Sequence, residues 1–249
     1  MDQGIYTAAS GAIAMEERLN VISHNMANMN TVGFKRDHIR YQEFIRALDT
    51  TMLAQGQYRM TPVDVVAMRP TVDLTPGVPE KTGNPLDVAI NGSGFFVVAT
   101  EKGLRYTRAG SFTLSADNTL VTPQGFRVQG SGGDITIDTS TGNGVIVIDP
   151  KGTVSYDDSE VDSLQIVDIP ADALVREGNN LFGVRDGYVP QGVEKPSVSQ
   201  GYLEKANVEP IVEMVELIVT QRAFEAFQKM IRTVDEAYAN SIRNVGTIA

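Results

Sequence analysis

Few side chains in this sequence are of types that could do chemistry. The chain has two histidines, His24 and His38, and no cysteine. Imidazole is a common ligand of zinc and related metals, but a stable site needs three or four converging donors. Both histidines fall in stretches that we predict to be helical, and no thiolate is available to complete a ligand set. We therefore interpret both as structural residues and predict no metal site.

Three short polar motifs suggest other kinds of chemistry. Gly92-Ser93-Gly94 has the wrong spacing for the strained turn that presents a nucleophilic serine. Gly130–Gly133 opens no predicted helix and is followed by no lysine, so it does not match a phosphate-binding loop. The acidic run Asp157–Asp162 lacks the glycine and the terminal glutamate of a calcium loop. We predict no catalytic residue, no cofactor and no enzymatic activity.

Composition narrows the function classes further. The chain has 249 residues, enough for one large domain or two small ones, and its net charge of −10 disfavours contact with phosphate backbones. We expect neither a nucleic-acid partner nor a small-molecule substrate. No apolar run approaches the roughly 20 residues that cross a bilayer. The N-terminus also lacks the basic and apolar regions of a cleaved secretory signal, so we expect any export to use another route.

The longest regular pattern begins at Ile5. Apolar residues recur there at alternating steps of three and four, which is a heptad repeat of the coiled-coil type. The pattern consists of Ile5, Ala8, Ala12, Met15, Leu19, Ile22, Met26 and Met29. A helix so close to the chain start needs a partner helix, although an ordinary amphipathic helix lying on its own domain is the alternative.

Helix-ending residues follow this pattern. Gly33 can take a positive φ at the end of the helix, and Phe34 has a large side chain to bury just past the turn. The stretch from His38 to Leu48 predicts a further short helical piece. The prolines that follow exclude long helices as far as Pro85 and predict a mostly extended connector.

A second long helix is predicted at the C-terminus. Asn207 is a favourable N-cap, and Pro210 falls in the first turn, where its missing N–H costs little. One apolar stripe consists of Val208, Ile211, Val215 and Ile218, and a second of Phe224, Phe227, Ile231, Val234 and Tyr238. The short step from Ile218 to Phe224 resembles a stammer, which is a local overwinding of a coiled coil. A further apolar face consists of Val212, Val219, Ala223, Ala226 and Met230.

The stretch between the two helices has a different period. Most glycines and prolines lie there, and short apolar runs alternate with predicted hairpin turns such as Asn91-Gly92 and Asn143-Gly144. This predicts an antiparallel sandwich or barrel-like domain. The predicted fold class is α+β, with long coiled-coil-type helices from both ends pairing beside a central, mostly antiparallel β domain. The predicted segments are a helical segment over 1–48, a connector over 49–85, a β domain over 86–200 and a C-terminal helix over 201–249.

Each predicted helix has more than one apolar face. A pair of helices buries only one face of each, so the remaining faces require helices from other subunits. We therefore predict that the residues of the three stripes, from Ile5 to Met29, Val208 to Ile218 and Phe224 to Tyr238, form subunit interfaces. Because isolated helices would expose these faces, we expect them to be largely disordered in the monomer and to fold on docking.

Four stretches resemble the bacterial flagellar rod and hook proteins. Ser23–Lys35 resembles the N-terminal signature of that family, an Asn-rich helix end followed by Thr-x-Gly-Phe-Lys, with departures at two positions of the commonest pattern. Glu213–Glu225 resembles the matching C-terminal helix, and Asn84–Phe96 and Tyr106–Leu114 are also characteristic. The motif residues are Asn25, Asn28, Thr31, Gly33, Phe34, Gln221 and Arg222. The four stretches occur in the family's order and span nearly the whole chain.

The resemblance implies a structural subunit of the flagellar basal-body rod. Chain length disfavours the hook protein, and the Met1-Asp2 opening with the short path from Arg36 to Leu86 favours the proximal over the distal rod protein. The family implies export by the flagellar type III apparatus without signal cleavage. It also implies assembly, with copies of itself and other rod proteins and within the basal-body rings, into a hollow drive shaft that crosses the periplasm and transmits motor torque. The terminal helices would form the inner tube of that shaft.

A different class of protein is the alternative. A soluble β-sandwich binding module with dimerising helices would need a ligand groove lined by aromatic side chains. The chain has no tryptophan, and its tyrosines and phenylalanines are scattered. For the rod function, we expect Leu19→Asp or Phe227→Asp to leave the β domain folded and to block incorporation into the rod.

Overall fold

The computed structural model of the chain describes residues 2–40, 69–138, 144–157 and 159–246. Two helices lie at the ends of this range, α1 over Asp2–Ala27 and α2 over Pro210–Gly246. α1 confirms the N-terminal helix, and α2 confirms the C-terminal one. No helix among the described residues is long and apolar enough to span a membrane.

The rest of the described chain forms nineteen short strands. They are β1 Asp37–Arg40, β2 Arg69–Val72, β3 Pro79–Lys81, β4 Val88–Ile90, β5 Phe95–Thr100, β6 Gly103–Thr107, β7 Thr113–Leu114, β8 Leu120–Val121, β9 Arg127–Gly130, β10 Gly133–Asp134, β11 Ile146–Ile148, β12 Thr153–Tyr156, β13 Ser159–Ser163, β14 Ile166–Asp168, β15 Leu174–Gly178, β16 Leu181–Val184, β17 Gln191–Gly192, β18 Val198–Gln200 and β19 Tyr202–Glu204. Helices and antiparallel strands in separate parts of the sequence confirm an α+β fold.

The largest sheet has ten strands and is organised around β5. Its main path runs β15-β16-β6-β5-β9-β8-β7, while β14 also pairs with β5, β10 pairs with β9 and β17 pairs with β14. The pairings of this sheet are antiparallel, as predicted. Four smaller sheets are β1-β2, β11-β12-β13, β18-β4 and β19-β3.

Both faces of β5 are buried, which explains its unbroken apolar sequence. Phe96 and Val98 belong to one hydrophobic core, and Phe95 and Val97, on the other face, belong to a second. Phe96 meets Phe112 edge to face with ring centroids 5.1 Å apart. Phe95 meets Phe182 of strand β16 edge to face, with ring centroids 5.6 Å apart. The strand therefore acts as the shared wall of two cores.

The chain divides into two compact units, each built from distant stretches of sequence. The helical unit contains residues 1–26, 37–71 and 210–249, and the β unit contains residues 27–36 and 72–209. Both hydrophobic cores lie in the β unit. The segment limits proposed from the sequence stay a prediction.

Two local predictions are wrong. His38 and Ile39 lie in strand β1, which pairs with β2, instead of opening a helix. The remainder of that predicted helix, and most of the connector before Arg69, lie outside the described residues. Asn91-Gly92 does make a turn, with φ of 99° at Gly92, but it does not close a hairpin. β4 before it pairs with β18, and β5 after it pairs with β6, β9 and β14.

The predicted N-cap of α2 is also wrong. α2 begins at Pro210, so Asn207 lies outside its first turn. The Asn207 side chain instead accepts a hydrogen bond from the Arg36 N–H at 2.6 Å and donates to the carbonyl oxygens of Asp73 and Thr75. Its amide is used to join three distant segments of the β unit, a role that local helix signals do not reveal.

Candidate assembly interface

A regular stripe of buried and half-buried side chains runs along α2. It consists of Glu213, Leu217, Thr220, Phe224, Phe227, Ile231, Val234 and Tyr238, at alternating steps of four and three. The interpretation of a stammer is wrong, because the stripe passes through Leu217 and Thr220 and not through Ile218. Polar residues at two of the buried positions hid this continuity from an analysis of apolar spacing.

α1 contacts α2 at three levels, two of them on this stripe and one at Glu216 beside it. A side chain at Gly11 would collide with Phe227, since its Cβ would lie 2.6 Å from the ring atom Cε1. Arg18 Nη2 lies 3.4 Å from a carboxylate oxygen of Glu216, and Asn25 Nδ2 lies 3.5 Å from Oε2 of Glu213. Positions later in α1 therefore meet positions earlier in α2, an antiparallel order.

The contacting face of α1 differs in part from the predicted seam. Gly11, Arg18 and Asn25 are seven residues apart and are not apolar seam residues. Of the predicted seam, Ala8, Ala12 and Ile22 are buried, and Ile5, Met15, Leu19, Met26 and Met29 are half-buried. A coiled-coil geometry for the pair stays a prediction.

The other side of α2 is apolar and open over its first three turns. We call this the outer face; it consists of Ile211, Val212, Met214, Val215, Ile218 and Val219. Their exposed fractions run from 40% to 78%. Every exposed side chain from Ile211 to Val219 belongs to this set, and the two glutamates in the same stretch are buried or half-buried. An apolar patch free of charge on a helix exterior is typical of a binding surface.

The predicted interface residues of α2 thus divide between its two sides. Ile211, Val215 and Ile218 lie on the outer face, whereas the stripe from Phe224 to Tyr238 is half-buried within the chain. Val208 precedes the helix and is buried. Their contacts with other subunits stay a prediction.

The side-chain amide of Asn25 forms two hydrogen bonds to the backbone of Asp37, as the backbone of a neighbouring strand would. Its Nδ2 donates to the Asp37 carbonyl oxygen at 2.8 Å, and its Oδ1 accepts from the Asp37 N–H at 2.9 Å. The side chain is 1% exposed, so both bonds are shielded from water. Nearby, His24 Nδ1 lies 3.4 Å from an Asp37 carboxylate oxygen, which gives this histidine a structural contact.

The other N-terminal motif residues build a tight turn in the β unit. The Thr31 N–H donates to the Asn28 carbonyl oxygen, and Gly33 follows with φ of 66°, as predicted. Phe34 is 2% exposed and lies under the guanidinium of Arg176, at 4.8 Å from its ring centroid. Burial of Phe34 just past the turn is therefore confirmed.

The C-terminal motif residues face solvent. Gln221 and Arg222 are exposed on α2, and Gln221 donates from Nε2 to the Glu225 carboxylate one turn along the helix at 3.2 Å. The role of these two motif residues stays a prediction.

A buried ionic cluster lies in the β unit and was not predicted. Lys35 Nζ is 2.5 Å from Glu204 Oε1, and Arg108 Nε is 3.1 Å from Glu204 Oε2. The three residues are 1%, 3% and 3% exposed, in the order Lys35, Arg108, Glu204. Arg108 also donates to the carbonyl oxygens of Gly92 and Gly94. Lys35 belongs to the Thr-x-Gly-Phe-Lys motif, but nothing in the local sequence indicates its partners, which lie far along the chain.

Burial shifts the proton affinity of both cations. Desolvation lowers the pKa of Lys35, and the hydrogen bond and charge of Glu204 only partly oppose it. Desolvation also lowers the pKa of Arg108. These shifts indicate that the cluster is held in a dry site where each charge depends on its partner.

Two grooves of the β unit do not fit the binding-module alternative. Among the described residues, the lining of one groove of about 540 Å³ has one aromatic side chain, Phe126, beside charged side chains such as Lys102 and Arg105. The described lining of another, of about 700 Å³ near Lys151 and Glu194, has no aromatic side chain. Neither offers the stacking surfaces that a carbohydrate site uses.

Three family models match the chain. A model described as flagella basal body rod protein matches residues 5–35, and the FlgE/F/G hook-protein D1 domain matches residues 89–156. The C-terminal domain of the basal body rod FlgEFG proteins matches residues 199–244. These spans contain the turn after α1, the centre of the large sheet and most of α2.

Curated relatives match over the full length. The flagellar basal-body rod protein FlgF of Caulobacter vibrioides is 33% identical over 251 residues, with 100% of both chains covered. FlgF of Salmonella typhimurium is 32% identical, with 95% of both chains covered. The rod protein FlgG of Bacillus subtilis is 32% identical, with 95% of this chain and 96% of the relative covered. The chain therefore belongs to the flagellar basal-body rod protein family, whose members are structural subunits of the bacterial flagellar basal body.

Proposed function

We propose that the chain is a structural subunit of the proximal rod, of the FlgF type, which assembles through its terminal helices into a hollow drive shaft. The shaft crosses the periplasm and transmits motor torque. The outer face of α2 carries this proposal, because a continuous uncharged apolar surface is costly in water and becomes favourable when a neighbouring subunit covers it.

The predicted seam residues have distinct parts in this assembly. Ile211, Val215 and Ile218 contact neighbouring subunits directly. The stripe from Phe224 to Tyr238, with the seam of α1, pairs the two helices of one subunit and sets the angle of the outer face. In a rod, the outer face of one subunit would meet a different surface of the next subunit, since such heterologous contacts build open helical filaments.

Charge substitution on α2 tests the proposal. Ile218→Asp places a carboxylate on the outer face, and we expect a soluble, folded β unit that no longer enters the rod and no longer supports motility. Gln228→Asp adds a carboxylate at an exposed position that is already polar, and it should assemble normally. Motility and rod content are measured in a strain that lacks the corresponding rod protein. Full motility with Ile218→Asp contradicts the proposed interface.

The seam substitutions test a separate step. Phe227 packs on Gly11 of the same chain, so Phe227→Asp disrupts pairing of α1 with α2, as does Leu19→Asp in the half-buried part of α1. Both should leave the β unit folded and block incorporation into the rod. Normal motility in either variant would contradict a role for helix pairing.

We further propose that the helices order on assembly. Burial between subunits then offsets the entropy of ordering them. In limited proteolysis of the purified chain, we expect loss of residues before about 49 and after about 201 while the β unit survives. Complete resistance of the full chain would instead place stable helices in the free protein.

A distal rod subunit of the FlgG type is the alternative within the family, since FlgG relatives match at similar identity. Complementation distinguishes the two. A proximal subunit restores motility to a strain lacking FlgF and fails in one lacking FlgG, and a distal subunit gives the reverse result. We propose export through the flagellar type III apparatus without signal cleavage, with the surrounding basal-body rings as further neighbours.

A further inference from the structure

We propose that Glu204 is a positioning residue that locks together, inside the β unit, the segment following α1 and the segment preceding α2. We call these the entry segment, residues 31–36, and the exit segment, residues 202–207. The lock consists of Glu204 with Lys35 and Arg108.

The backbones of the two segments are joined directly. The Gly33 N–H donates to the Glu204 carbonyl oxygen at 2.7 Å, and the Asn207 N–H donates to the Phe34 carbonyl oxygen at 3.4 Å. The Arg36 N–H donates to the Asn207 side chain at 2.6 Å. Three bonds therefore align the segments, although about 170 residues of sequence separate them.

The Glu204 carboxylate ties this pair to the body of the β unit. Its Oε1 accepts from Lys35 Nζ and from the Gly77 N–H, at 2.5 and 2.8 Å. Its Oε2 faces Arg108 Nε. Lys35 Nζ also donates to the Thr75 carbonyl oxygen at 2.8 Å. One buried carboxylate thus holds the entry segment, the exit segment, the stretch before β3 and the end of β6.

The cluster is suited to fixing geometry more than to adding stability. Buried ion pairs lose much of their Coulomb attraction to desolvation, and well-packed apolar replacements are often as stable. The two apolar cores already stabilise the β unit. An apolar contact tolerates small displacements, whereas Glu204 accepts hydrogen bonds from Lys35 and the Gly77 N–H on one oxygen and pairs by charge with Arg108 on the other, which restricts its geometry.

This geometry has a use in the rod. The entry segment is covalently continuous with α1, and the exit segment with α2. Relative motion of the two segments would therefore make the point where each helix joins the β unit mobile. A rigid lock keeps them fixed while torque passes through the subunit. This use rests on the proposed rod function; the lock itself does not.

The test measures a distance inside the β unit of the purified full chain. Because the chain has no cysteine, Asn30→Cys and Glu209→Cys attach two spin labels at exposed positions beside the two segments. Electron–electron double resonance then gives the distribution of distances between the labels. We expect one narrow distribution in the parent chain and a distribution about twofold broader in Glu204→Gln, which removes the charge but keeps the shape.

Two further variants separate positioning from stability. Glu80→Gln is the matched control, because Glu80 pairs with Lys205 at 3.1 Å near the exit segment while both side chains are 57% exposed; its distribution should stay narrow. Lys35→Met/Glu204→Gln removes the Lys35–Glu204 ion pair and leaves Arg108 with its hydrogen bonds to the carbonyl oxygens of Gly92 and Gly94. It should recover much of the melting temperature lost in Glu204→Gln, yet keep the broad distribution.

Two results would overturn the lock. One is an unchanged narrow distribution in folded Glu204→Gln. The other is a double variant whose distribution narrows again as its melting temperature recovers, since width would then follow stability alone. If Glu204→Gln does not fold, the folded double variant is compared with the parent chain. A broad distribution in the double variant then supports the lock, and a narrow one overturns it. Motility tests of Ile218→Asp are independent, so failure of the rod function and failure of the lock give different outcomes.

Discussion

The β unit and helix α2 place their side chains in opposite ways. In the β unit, Phe96 is fully buried, and the buried charges of Lys35 and Glu204 pair with each other. In α2, Glu213 and Thr220 are buried at 0% and 1% exposure, while Ile211 on the outer face is 78% exposed. The β unit buries two apolar cores of its own, although single apolar side chains such as Val78 and Val189 stay exposed. The described part of helix α2 leaves a group of apolar side chains exposed, and we propose that a neighbouring subunit covers it.

The largest expected effect contrasts a core residue with an outer-face residue. Phe96→Ala removes a ring packed on Phe112 and should lower the free energy of unfolding of the β unit by about 3–5 kcal/mol, measured by urea denaturation. Ile218→Ala removes a half-exposed side chain of α2 and should change the free energy of unfolding of the full chain by less than about 0.5 kcal/mol. Equal effects of the two would show that the outer face is covered within the free chain.

A glycine pair tests how tightly the turn after α1 packs. Gly33 has φ of 66°, and a Cβ there would lie 2.4 Å from the Ala109 nitrogen and from the Arg108 carbonyl carbon. Gly33→Ala should therefore destabilise the β unit by about 3 kcal/mol or more. Gly83→Ala is the matched control, because Gly83 has φ of 76° with no atom within 4 Å of the Cβ position. Gly83→Ala should lower the free energy of unfolding by about 1–2 kcal/mol, because only the backbone conformation is unfavourable there. Thermal unfolding measures both variants.

A threonine pair tests the polar interior of α2. Among the described residues, buried Thr220 Oγ1 has no hydrogen-bond partner. Thr220→Val keeps the shape and removes that penalty, so in assembled rods it should stabilise the helix by about 1 kcal/mol and slow hydrogen exchange of α2 amides roughly fivefold. Thr233→Val alters an exposed hydroxyl that donates to the Lys229 carbonyl oxygen and should change exchange little. Faster exchange in Thr220→Val would mean that the hydroxyl is satisfied by a neighbour.

The smallest expected effect concerns acid stability of the β unit. The hydrogen bond from Gln129, and then that from Arg127, hold the pKa of Asp134 below its ordinary value of 3.8. Because the folded pKa is the lower one, the stabilisation is present above the ordinary value and is lost as pH falls through the folded pKa. Asp134→Asn should flatten this part of the stability curve between pH 5 and 2, measured by urea midpoints, with only a small change near neutral pH. An unaltered acid slope would contradict the shift.

Local patterns were sufficient where neighbours in sequence decide the structure. The heptad spacing after Ile5 predicted α1, the positive φ of Gly33 followed from its place after the helix, and the short apolar runs between the two helices predicted strands. Each depends on periodicity or on backbone sterics that act within a few residues. The family motifs are local as well, and the full-length relatives confirm them.

Partner choice between distant segments was decided by tertiary structure alone. Strand β1 replaced the predicted helix at His38 because β2 pairs with it, and Asn207 joins distant segments instead of capping α2. Glu204 gathers Lys35 and Arg108 from opposite parts of the chain, which no spacing rule indicates. Which side of α2 the chain buries was hidden too, because polar Glu213 and Thr220 occupy inward positions. Apolar spacing shows that a helix face must be covered, and only packing in three dimensions decides whether the same chain covers it.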